Sequence, residues 1–325
     1  MTDLFPKQEL IATMRCQPGA LLPCKLDWPI EKICYWSGRP SDTRPAASPL
    51  WHDPWGVGWQ KESADPQMMP FPIEHPLDGR IAEVDRYTPP SATDPRLFAD
   101  LRHLRHSPER LLIGEHPFAL FERAWLLTGM QHLLESMADA PERVDELFAR
   151  IGAFELDIAR AYLKLGVEAA WISDDYGMNA AMMFSPALWR RFVRPHLERL
   201  VQEYHEAGAL VILHSCGNIT GLIDEFVEIG IDVLDPLQPN CNRLGYIRER
   251  TAGRICLSGG VQASAMASND AIRTAADTRE RIQQLGADGG YIVGPDSDWE
   301  LPDEAHAAML NTVEQYRDAA RRDRT

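Results

Sequence analysis

The chain has 325 residues, a formal net charge of -15 at pH 7 and a sequence pI of about 5.1. This excess of acidic groups disfavours nucleic acids and anionic membrane surfaces as partners. No apolar stretch approaches the roughly 20 residues that span a bilayer, and the N-terminal residues lack the basic and apolar segments of a secretory signal peptide, so we expect a cytoplasmic protein.

Two apolar runs in the first third of the sequence predict β-strands, at 20–27 and 110–116. The segment between them, about 36–100, contains 11 of the 24 prolines and the tryptophans at 36, 51, 55 and 59. Such long loops are usually functional or disordered, and this one is too rich in aromatic residues for disorder. We predict an ordered insertion that caps the mouth of the domain. Its tryptophans either contact substrate or only attach the insertion to the surface.

From residue 169 onward, apolar strands alternate with amphipathic helices. The predicted strands are 169–173, 211–214, 231–235, 254–257 and 290–293, and the predicted helices are 186–208, 219–229, 242–252 and 269–286. The helix over 186–208 rests on apolar residues spaced three and four apart, after Ser185 as N-cap. Strands separated by helices indicate a parallel sheet covered on both faces. We therefore predict the α/β class, with residues 1–325 forming a single (β/α)8 TIM barrel.

The run from Val211 to Asn218 ends in a histidine and a cysteine two positions apart. Residues i and i+2 of a strand point to the same side, so His214 and Cys216 can bind one metal ion. The alternative is a buried core histidine beside a small apolar thiol. Active sites of such barrels lie at the carboxyl ends of the strands, where further polar residues are expected to gather: His116, Asp174, Asp175, Asp235, Gln238, Ser258 and Asp296.

Adjacent residues of a strand point in opposite directions, so we expect one of Asp174 and Asp175 to reach the pocket as acid, base or ligand positioner, and the other to cap a turn. Gln238 is a candidate to hydrogen-bond a ligand. Gly259 and Gly260 allow close backbone approach, with anion or cofactor binding as the alternative. A second candidate cofactor residue is His116, and Cys241 follows a strand end from which it could reach the metal.

Several short motifs are spread along most of the chain. They are Asp53-Pro-Trp-Gly-Val57, His75-Pro-Leu77, Phe121-Glu-Arg-Ala-Trp125, Asp174-Asp-Tyr-Gly177, His214-Ser-Cys-Gly-Asn218, Asp232-Val-Leu-Asp-Pro-Leu-Gln-Pro239 and Gly289-Gly-Tyr-Ile292. Together they resemble the uroporphyrinogen decarboxylase-like superfamily, and within it the zinc-dependent, corrinoid-linked methyltransferases and O-demethylases. The resemblance implies a (β/α)8 barrel in which His214 and Cys216 bind Zn2+. It also implies that zinc activates a thiol or polarises a methyl donor, and that a partner protein carries the corrinoid.

The sequence departs from the family pattern in two places. Residues 21–40 lack the arginine cluster with which the decarboxylases hold an acidic tetrapyrrole, and residues 294–299 lack a cysteine that thiol-methylating members carry. The third zinc ligand is therefore left open among Cys241, Asp296, Asp298, Glu155 and Asp174. An oxygen ligand would leave zinc more Lewis-acidic, which suits the ether oxygen of a methoxylated substrate and so demethylation.

Three functions are compatible with these observations. The first is a zinc-dependent methyltransferase that moves a methyl group between a small methylated substrate or thiol and a corrinoid carrier. The second is a metal-independent decarboxylase of an acidic small molecule, with Asp174 or Asp175 relaying a proton. The third is a non-catalytic paralogue that binds a ligand. Apolar surface on the tryptophan-rich insertion would favour a homodimer.

Overall fold

Parallel strands form a curled sheet that surrounds an interior filled with side chains. A computed structural model describes residues 4–35, 50–61, 70–99, 101, 106–297 and 300–323. Within them, seven parallel strands pair in the order β1-β5-β6-β7-β8-β9-β10, and β2-β3-β4 form a small antiparallel sheet. The strands are β1 Ile30–Cys34, β2 Leu50–His52, β3 Gly58–Gln60, β4 Phe71–Glu74, β5 Leu111–His116, β6 Ala169–Ser173, β7 Leu210–His214, β8 Val233–Leu237, β9 Cys256–Val261 and β10 Tyr291–Pro295.

The ring is completed by a short segment near the N-terminus rather than by a full strand. Cys24 forms a parallel bridge with Val293, where the Lys25 N–H donates to the Val293 carbonyl over 2.8 Å. The predicted strand over 20–27 is therefore wrong beyond this bridge, because the chain turns at Asp27, whose N–H donates to the Cys24 carbonyl. The full strand in this part of the chain is β1, which follows the turn and pairs with β5, and the sequence did not predict it. The α/β class and the (β/α)8 fold are confirmed.

Helices cover the outside of the sheet. They are α1 Lys7–Met14, α2 Phe121–Thr128, α3 Met130–Asp139, α4 Pro141–Lys164, α5 Pro186–Phe192, α6 Arg194–Glu206, α7 Ile223–Ile229, α8 Leu244–Thr251, α9 Ala263–Ala267, α10 Ala271–Leu285 and α11 Asp303–Asp323, with 3-10 turns at Ile81–Arg86 and Thr220–Leu222. None of the helices in the described ranges is both long and apolar enough to cross a membrane.

The helices predicted over 242–252 and 269–286 are confirmed as α8 and α10. The helix predicted over 219–229 begins with a 3-10 turn, which α7 follows. The single helix predicted over 186–208 is wrong, because it is divided into α5 and α6 at Val193. Pro195 lies at the start of α6. Proline has no N–H to continue a helical ladder and its ring clashes with the preceding turn, whereas it fits the first turn of a new helix.

The inside of the barrel changes from apolar to polar at one level. Side chains alternate along each strand, so that Leu111 and Ile113 lie in the inner cluster while Leu112 packs outward against the helices. The next inward positions, toward the carboxyl ends, are polar or charged: Lys32, Glu115, Ser173, His214, Asp235 and Ser258. Because parallel strands end on the same side of a barrel, these side chains face one opening.

The proline- and tryptophan-rich insertion contains the sheet β2-β3-β4. Asp53 is its centre, since one carboxylate oxygen accepts the Trp55 N–H and the Val57 N–H and the other accepts the Trp59 indole N–H. The Asp53 carboxylate also pairs with the buried Arg123 guanidinium of α2 at 3.3 Å. Residues 36–49, 62–69 and 100, including Trp36, lie outside the described residues. That the insertion caps the barrel mouth stays a prediction.

A buried ion pair joins α11 to the turn before β1. The Arg317 guanidinium donates to both oxygens of Asp27, over 2.5 and 3.1 Å, and to the Leu22 carbonyl over 2.7 Å. Only 2% of the Arg317 side chain is exposed. We expect Arg317→Met to lower the free energy of unfolding by about 3–5 kcal/mol, because it leaves the Asp27 carboxylate buried without its counterion. Urea unfolding followed by circular dichroism measures this change.

The matched control is Arg321→Met, which removes a guanidinium from the same helix whose ion pairs are exposed. Exposed pairs contribute about 0–1 kcal/mol, so this variant should unfold close to the wild type. Equal losses in the two variants would contradict the role given to Arg317.

Candidate metal centre

Two neighbouring strands deliver three metal-ligating side chains to one point. His214 ends β7, Cys216 follows two residues later, and Asp175 follows β6. One ligand atom from each of the three residues lies within 4.8 Å of the other two. The Cys216 Sγ is 3.6 Å from the His214 Nε2, and an Asp175 Oδ1 is 3.8 Å from the same nitrogen. Donors around a tetrahedral zinc are separated by roughly 3.4 to 3.8 Å, so the spacing fits one ion.

Asp175 contributes the third potential ligand atom. The sequence predicts an acid, a base or a ligand positioner at Asp174 or Asp175, and it leaves the third zinc ligand open among residues other than Asp175. The available signal was the alternation along β6. Trp171 faces the interior, so Ser173 and then Asp175 continue on that side, whereas Asp174 faces the other way.

Asp174 joins the end of β6 to the start of α2. Its two carboxylate oxygens accept hydrogen bonds from the N–H groups of Phe121 and Glu122, over 2.9 and 2.8 Å. These N–H groups lie in the first turn of α2 and have no partner within the helix. Burial raises the pKa of Asp174 to about 7, although these hydrogen bonds to the carboxylate lower it. Asp174 therefore caps the start of α2 rather than the turn that follows β6, and a catalytic role stays a prediction.

Glu122 is a site residue to which the sequence reasoning gave no function. Burial raises the pKa of its carboxyl group well above the usual range, and the carboxylates of Asp175 and Asp174 raise it further. Two further acidic groups, Glu122 and Asp174, therefore lie beside the candidate ligand Asp175. Such a concentration of negative charge favours a cation. Glu122 lies in the motif Phe121-Glu-Arg-Ala-Trp125, but nothing in the spacing of that motif indicates that α2 starts against the end of β6.

The loops that carry Asp175 and Cys216 are in direct backbone contact. Gly177 packs on Gly217 so closely that a Cβ on either would overlap the other's backbone. The Asn218 N–H donates to the Met178 carbonyl over 2.7 Å, and the Cys216 N–H donates to the Asp175 Oδ1 over 2.7 Å. The two loops therefore behave as one unit, and their contact sets the distance between the oxygen and sulfur ligands.

A second carboxylate lies behind the histidine. An Asp235 Oδ2 is 3.5 Å from the His214 Nδ1, and the Asp235 Oδ1 forms an ion pair with Lys25 and accepts the Ser258 hydroxyl over 2.6 Å. Burial would raise the pKa of Asp235, but the Lys25 ammonium and the His214 imidazole outweigh it and hold that pKa well below the usual range. A proton on Nδ1 would face this carboxylate, leaving Nε2 to bind a metal.

Gln238 and Cys241 follow β8. The Gln238 side chain accepts the Gly217 N–H over 2.7 Å and donates to the Asp296 carbonyl over 3.2 Å, so it holds the loop that carries Cys216. A catalytic role for Gln238 stays a prediction. Cys241 is not part of the ligand cluster, and burial together with the nearby Asp296 raises the pKa of its thiol. The Asp296 carboxylate accepts the Ala263 N–H at the start of α9.

His116 and Glu155 lie apart from the cluster. The His116 Nδ1 is 2.6 Å from a Glu155 carboxylate oxygen and its Nε2 is 2.6 Å from the Tyr204 hydroxyl, so both ring nitrogens have partners inside the protein. Gly259 and Gly260 both have φ of +93°, and a Cβ at Gly259 would lie 3.2 Å from the Pro295 carbonyl, so these glycines allow close strand packing. Cofactor binding by these residues stays a prediction. Asp298 lies outside the described residues.

Residues 67–316 match the family model of uroporphyrinogen decarboxylase (URO-D). A uroporphyrinogen decarboxylase from Thermus thermophilus is 37% identical over 75 residues, which cover 23% of this chain and only 20% of that enzyme. A methyltransferase from Methanosarcina mazei has a similar structure, with a TM-score of 0.74 over 97% of this chain and 99% of the other, at 14% sequence identity. At that identity the likeness shows a shared fold.

The contact between the two loops predicts a specific effect of adding one methyl group. Gly177→Ala should separate Asp175 from Cys216, because the new Cβ would lie 2.6 Å from the Gly217 carbonyl carbon. We expect zinc affinity to fall by about 10-fold or more, as for other changes to the support of metal ligands. Competition with a chromophoric chelator measures it. Gly245→Ala is the matched control because no atom lies within 4 Å of its Cβ position. Wild-type affinity in Gly177→Ala would refute this role of the contact.

The carboxylate behind His214 predicts a second effect on metal binding. Asp235→Asn is expected to weaken zinc binding about 10- to 100-fold, because a neutral amide supports the imidazole less well than a carboxylate. The same competition titration applies. Ser258→Ala removes only a hydrogen bond to Asp235 and should have a smaller effect. The double variant Lys25→Met/Asp235→Asn removes the lysine that would otherwise lose its partner. If that variant binds zinc like the wild type, Asp235 does not support His214.

Proposed function

The chain belongs to the uroporphyrinogen decarboxylase family, and we propose that it is a zinc-dependent methyltransferase. It would move a methyl group between a small methylated substrate or thiol and a corrinoid carried by a partner protein. The observation that carries this proposal is the convergence of His214, Cys216 and Asp175 at the open end of the barrel. The fold shared with the Methanosarcina mazei methyltransferase supports it.

The donor set fits a catalytic zinc rather than a structural one. Structural sites have four protein ligands, often thiolates, whereas catalytic sites have about three and an open position. Here one nitrogen, one sulfur and one oxygen are brought together, and all three side chains are partly exposed. Magnesium and calcium prefer oxygen ligands, so the thiol and the imidazole favour zinc.

Bound zinc would supply a Lewis acid that lowers the pKa of a coordinated thiol or polarises the oxygen that carries the methyl group. His214 and Cys216 would hold it from β7, and Asp175 from β6. Asp235 would keep the His214 ring in the orientation that presents Nε2. Trp171 and Ile212, just below in the barrel, close the floor of the site against water. The carboxylate ligand in place of a second thiolate favours an ether oxygen, and so the demethylation of a methoxylated compound.

A metal-independent decarboxylase is the second candidate. The relative from Thermus thermophilus supports it, although the similarity spans 75 residues. The clustered carboxyl groups of Glu122, Asp174 and Asp175 could relay a proton in such a reaction. The two candidates differ in their dependence on metal, since decarboxylation by these groups would continue in the presence of a chelator.

We expect about one zinc per chain in protein purified without added metal or a metal-binding tag, by elemental analysis. His214→Ala and Cys216→Ser should lose it, because each removes one of three ligands. Cys241→Ser should keep it, since this thiol is outside the cluster. Demethylation of methoxylated compounds with reduced cobalamin as acceptor should stop on chelation and return with zinc.

Absence of zinc from the wild-type protein after reconstitution would refute the proposed zinc-dependent methyltransferase. Chelator-resistant release of carbon dioxide from an acidic substrate would then favour the decarboxylase. Equal zinc content in wild type and Cys216→Ser would show that the thiol is not a ligand.

A further inference from the structure

The loop that carries Cys216 turns at a glycine that cannot take a side chain. Gly217 follows the cysteine with φ of +79°, and a Cβ at this position would overlap the backbone of Gly177. Glycine is the residue that fits both this conformation and this space. The direction of the Cys216 side chain therefore depends on the hydrogen bonds that other parts of the chain make to the peptide groups around Gly217.

Asn242 makes such hydrogen bonds from the turn that follows β8. Its Nδ2 donates to the Gly217 carbonyl over 2.8 Å, and its Oδ1 accepts a hydrogen bond from the Ile219 N–H over 3.0 Å. The Gln238 side chain of the same turn accepts a hydrogen bond from the Gly217 N–H. Two side chains of one turn thus hold three consecutive peptide groups of the loop, beginning with the one that follows Cys216.

The Asn242 side chain has no remaining hydrogen-bonding capacity. A side-chain amide offers two N–H donors and one oxygen with two lone pairs. Besides the two contacts to the loop, Nδ2 donates to the Gln238 carbonyl and Oδ1 accepts a hydrogen bond from the Thr220 hydroxyl, both over 3.2 Å. Asn242 is also only 9% exposed. A buried amide with every group satisfied is held in one orientation, so it fixes the loop that it contacts.

We propose that Asn242 is a positioning residue of the candidate metal centre, which holds the Cys216 thiol where it meets the same ion as His214 and Asp175. This inference rests on the proposed function, because it concerns the metal site that the function requires. Asn242 acts through the loop, since its donors and acceptor are used inside the protein. His214 belongs to β7 itself, so the thiol is the ligand that depends on Asn242.

The alternative is that Asn242 only caps the 3-10 turn Thr220–Leu222. Its Oδ1 accepts hydrogen bonds from the Ile219 N–H and the Thr220 hydroxyl at the start of that turn. Capping needs only an oxygen, for which aspartate serves as well as asparagine, whereas the hold on Gly217 needs the amide N–H. Asn242→Asp separates the two roles because it keeps the oxygen and loses both donors. Its added negative charge attracts cations, so a loss of zinc affinity cannot come from that charge.

Zinc affinity of the folded protein tests this assignment. We expect Asn242→Asp to weaken zinc binding about tenfold or more, by competition with a chromophoric chelator, as for other changes to groups that support metal ligands. In protein loaded with cobalt(II), the thiolate-to-metal charge-transfer band should weaken, because the thiol is the ligand that moves.

Asn240→Asp is the matched control. It makes the same substitution in the same turn, at an exposed residue whose side chain accepts a hydrogen bond from Gln262 over 3.4 Å. An aspartate keeps that acceptor, so the control should match the wild type in zinc affinity and in the cobalt spectrum.

Wild-type zinc affinity and a wild-type cobalt spectrum in Asn242→Asp would overturn the assignment. That result would leave Asn242 as a cap, even if urea unfolds the variant more easily. Asn242→Ser covers the case in which Asn242→Asp does not fold. Its side chain is too short to hold both the Gly217 carbonyl and the Ile219 N–H, so the same loss of affinity is expected, and unchanged affinity would again refute the positioning role.

The failure of this inference is distinguishable from the failure of the proposed function. Methyl transfer is measured separately on the zinc-loaded wild type. A protein that needs Asn242 to hold zinc but transfers no methyl group would support the positioning role and refute the methyltransferase. An active methyltransferase whose zinc affinity is unchanged in Asn242→Asp would refute only the positioning role. A wild type that binds neither zinc nor cobalt would refute both.

Discussion

The alternation of side chains around a closed parallel sheet is the constraint on which this molecule depends. Every second residue must enter the barrel, and the lower levels are filled by apolar side chains such as Ile113, Trp171 and Ile212. One step further along the strands the inward residues become polar. The packed floor supplies stability and excludes water, and the polar level above it collects groups that are far apart in sequence. The candidate metal ligands, the carboxylate behind His214 and the Lys32 ammonium all belong to this end of the barrel.

Much of the fold could be predicted because hydrophobic periodicity is local. The strands from β5 onward and the helices α7, α8 and α10 are close to their predicted positions. The strand at 20–27 failed because an apolar run does not reveal a turn, here closed by Asp27. The break at Val193 shows that a proline can separate two helices whose apolar faces share one period. β1 was missed because its inward position is Lys32, which breaks the apolar pattern.

The site was predictable only where its geometry is local. His214 ends β7 and Cys216 lies two residues beyond it, so the alternation of an extended chain was enough to place them on the same side. Asp175 was within reach of the same reasoning, because its side of β6 follows from Trp171. The support of these ligands was not predictable. Asp235 and His214 lie on different strands, and Gly177 and Gly217 lie in the loops after two strands, so the sequence does not encode these contacts. Separation along the chain, rather than residue type, limited the prediction.

One helix connects the tryptophan-rich insertion to the candidate metal ligands. α2 begins on the Asp174 carboxylate, next to Asp175, and two residues into the helix Arg123 pairs with Asp53 of the insertion. Both contacts are buried, and a buried charge tolerates the loss of its partner poorly. The insertion is therefore not an independent module that recombination could exchange at its ends. A chimera that takes this segment from a relative would have to take α2 with it, and so would replace the wall of the site at the same time.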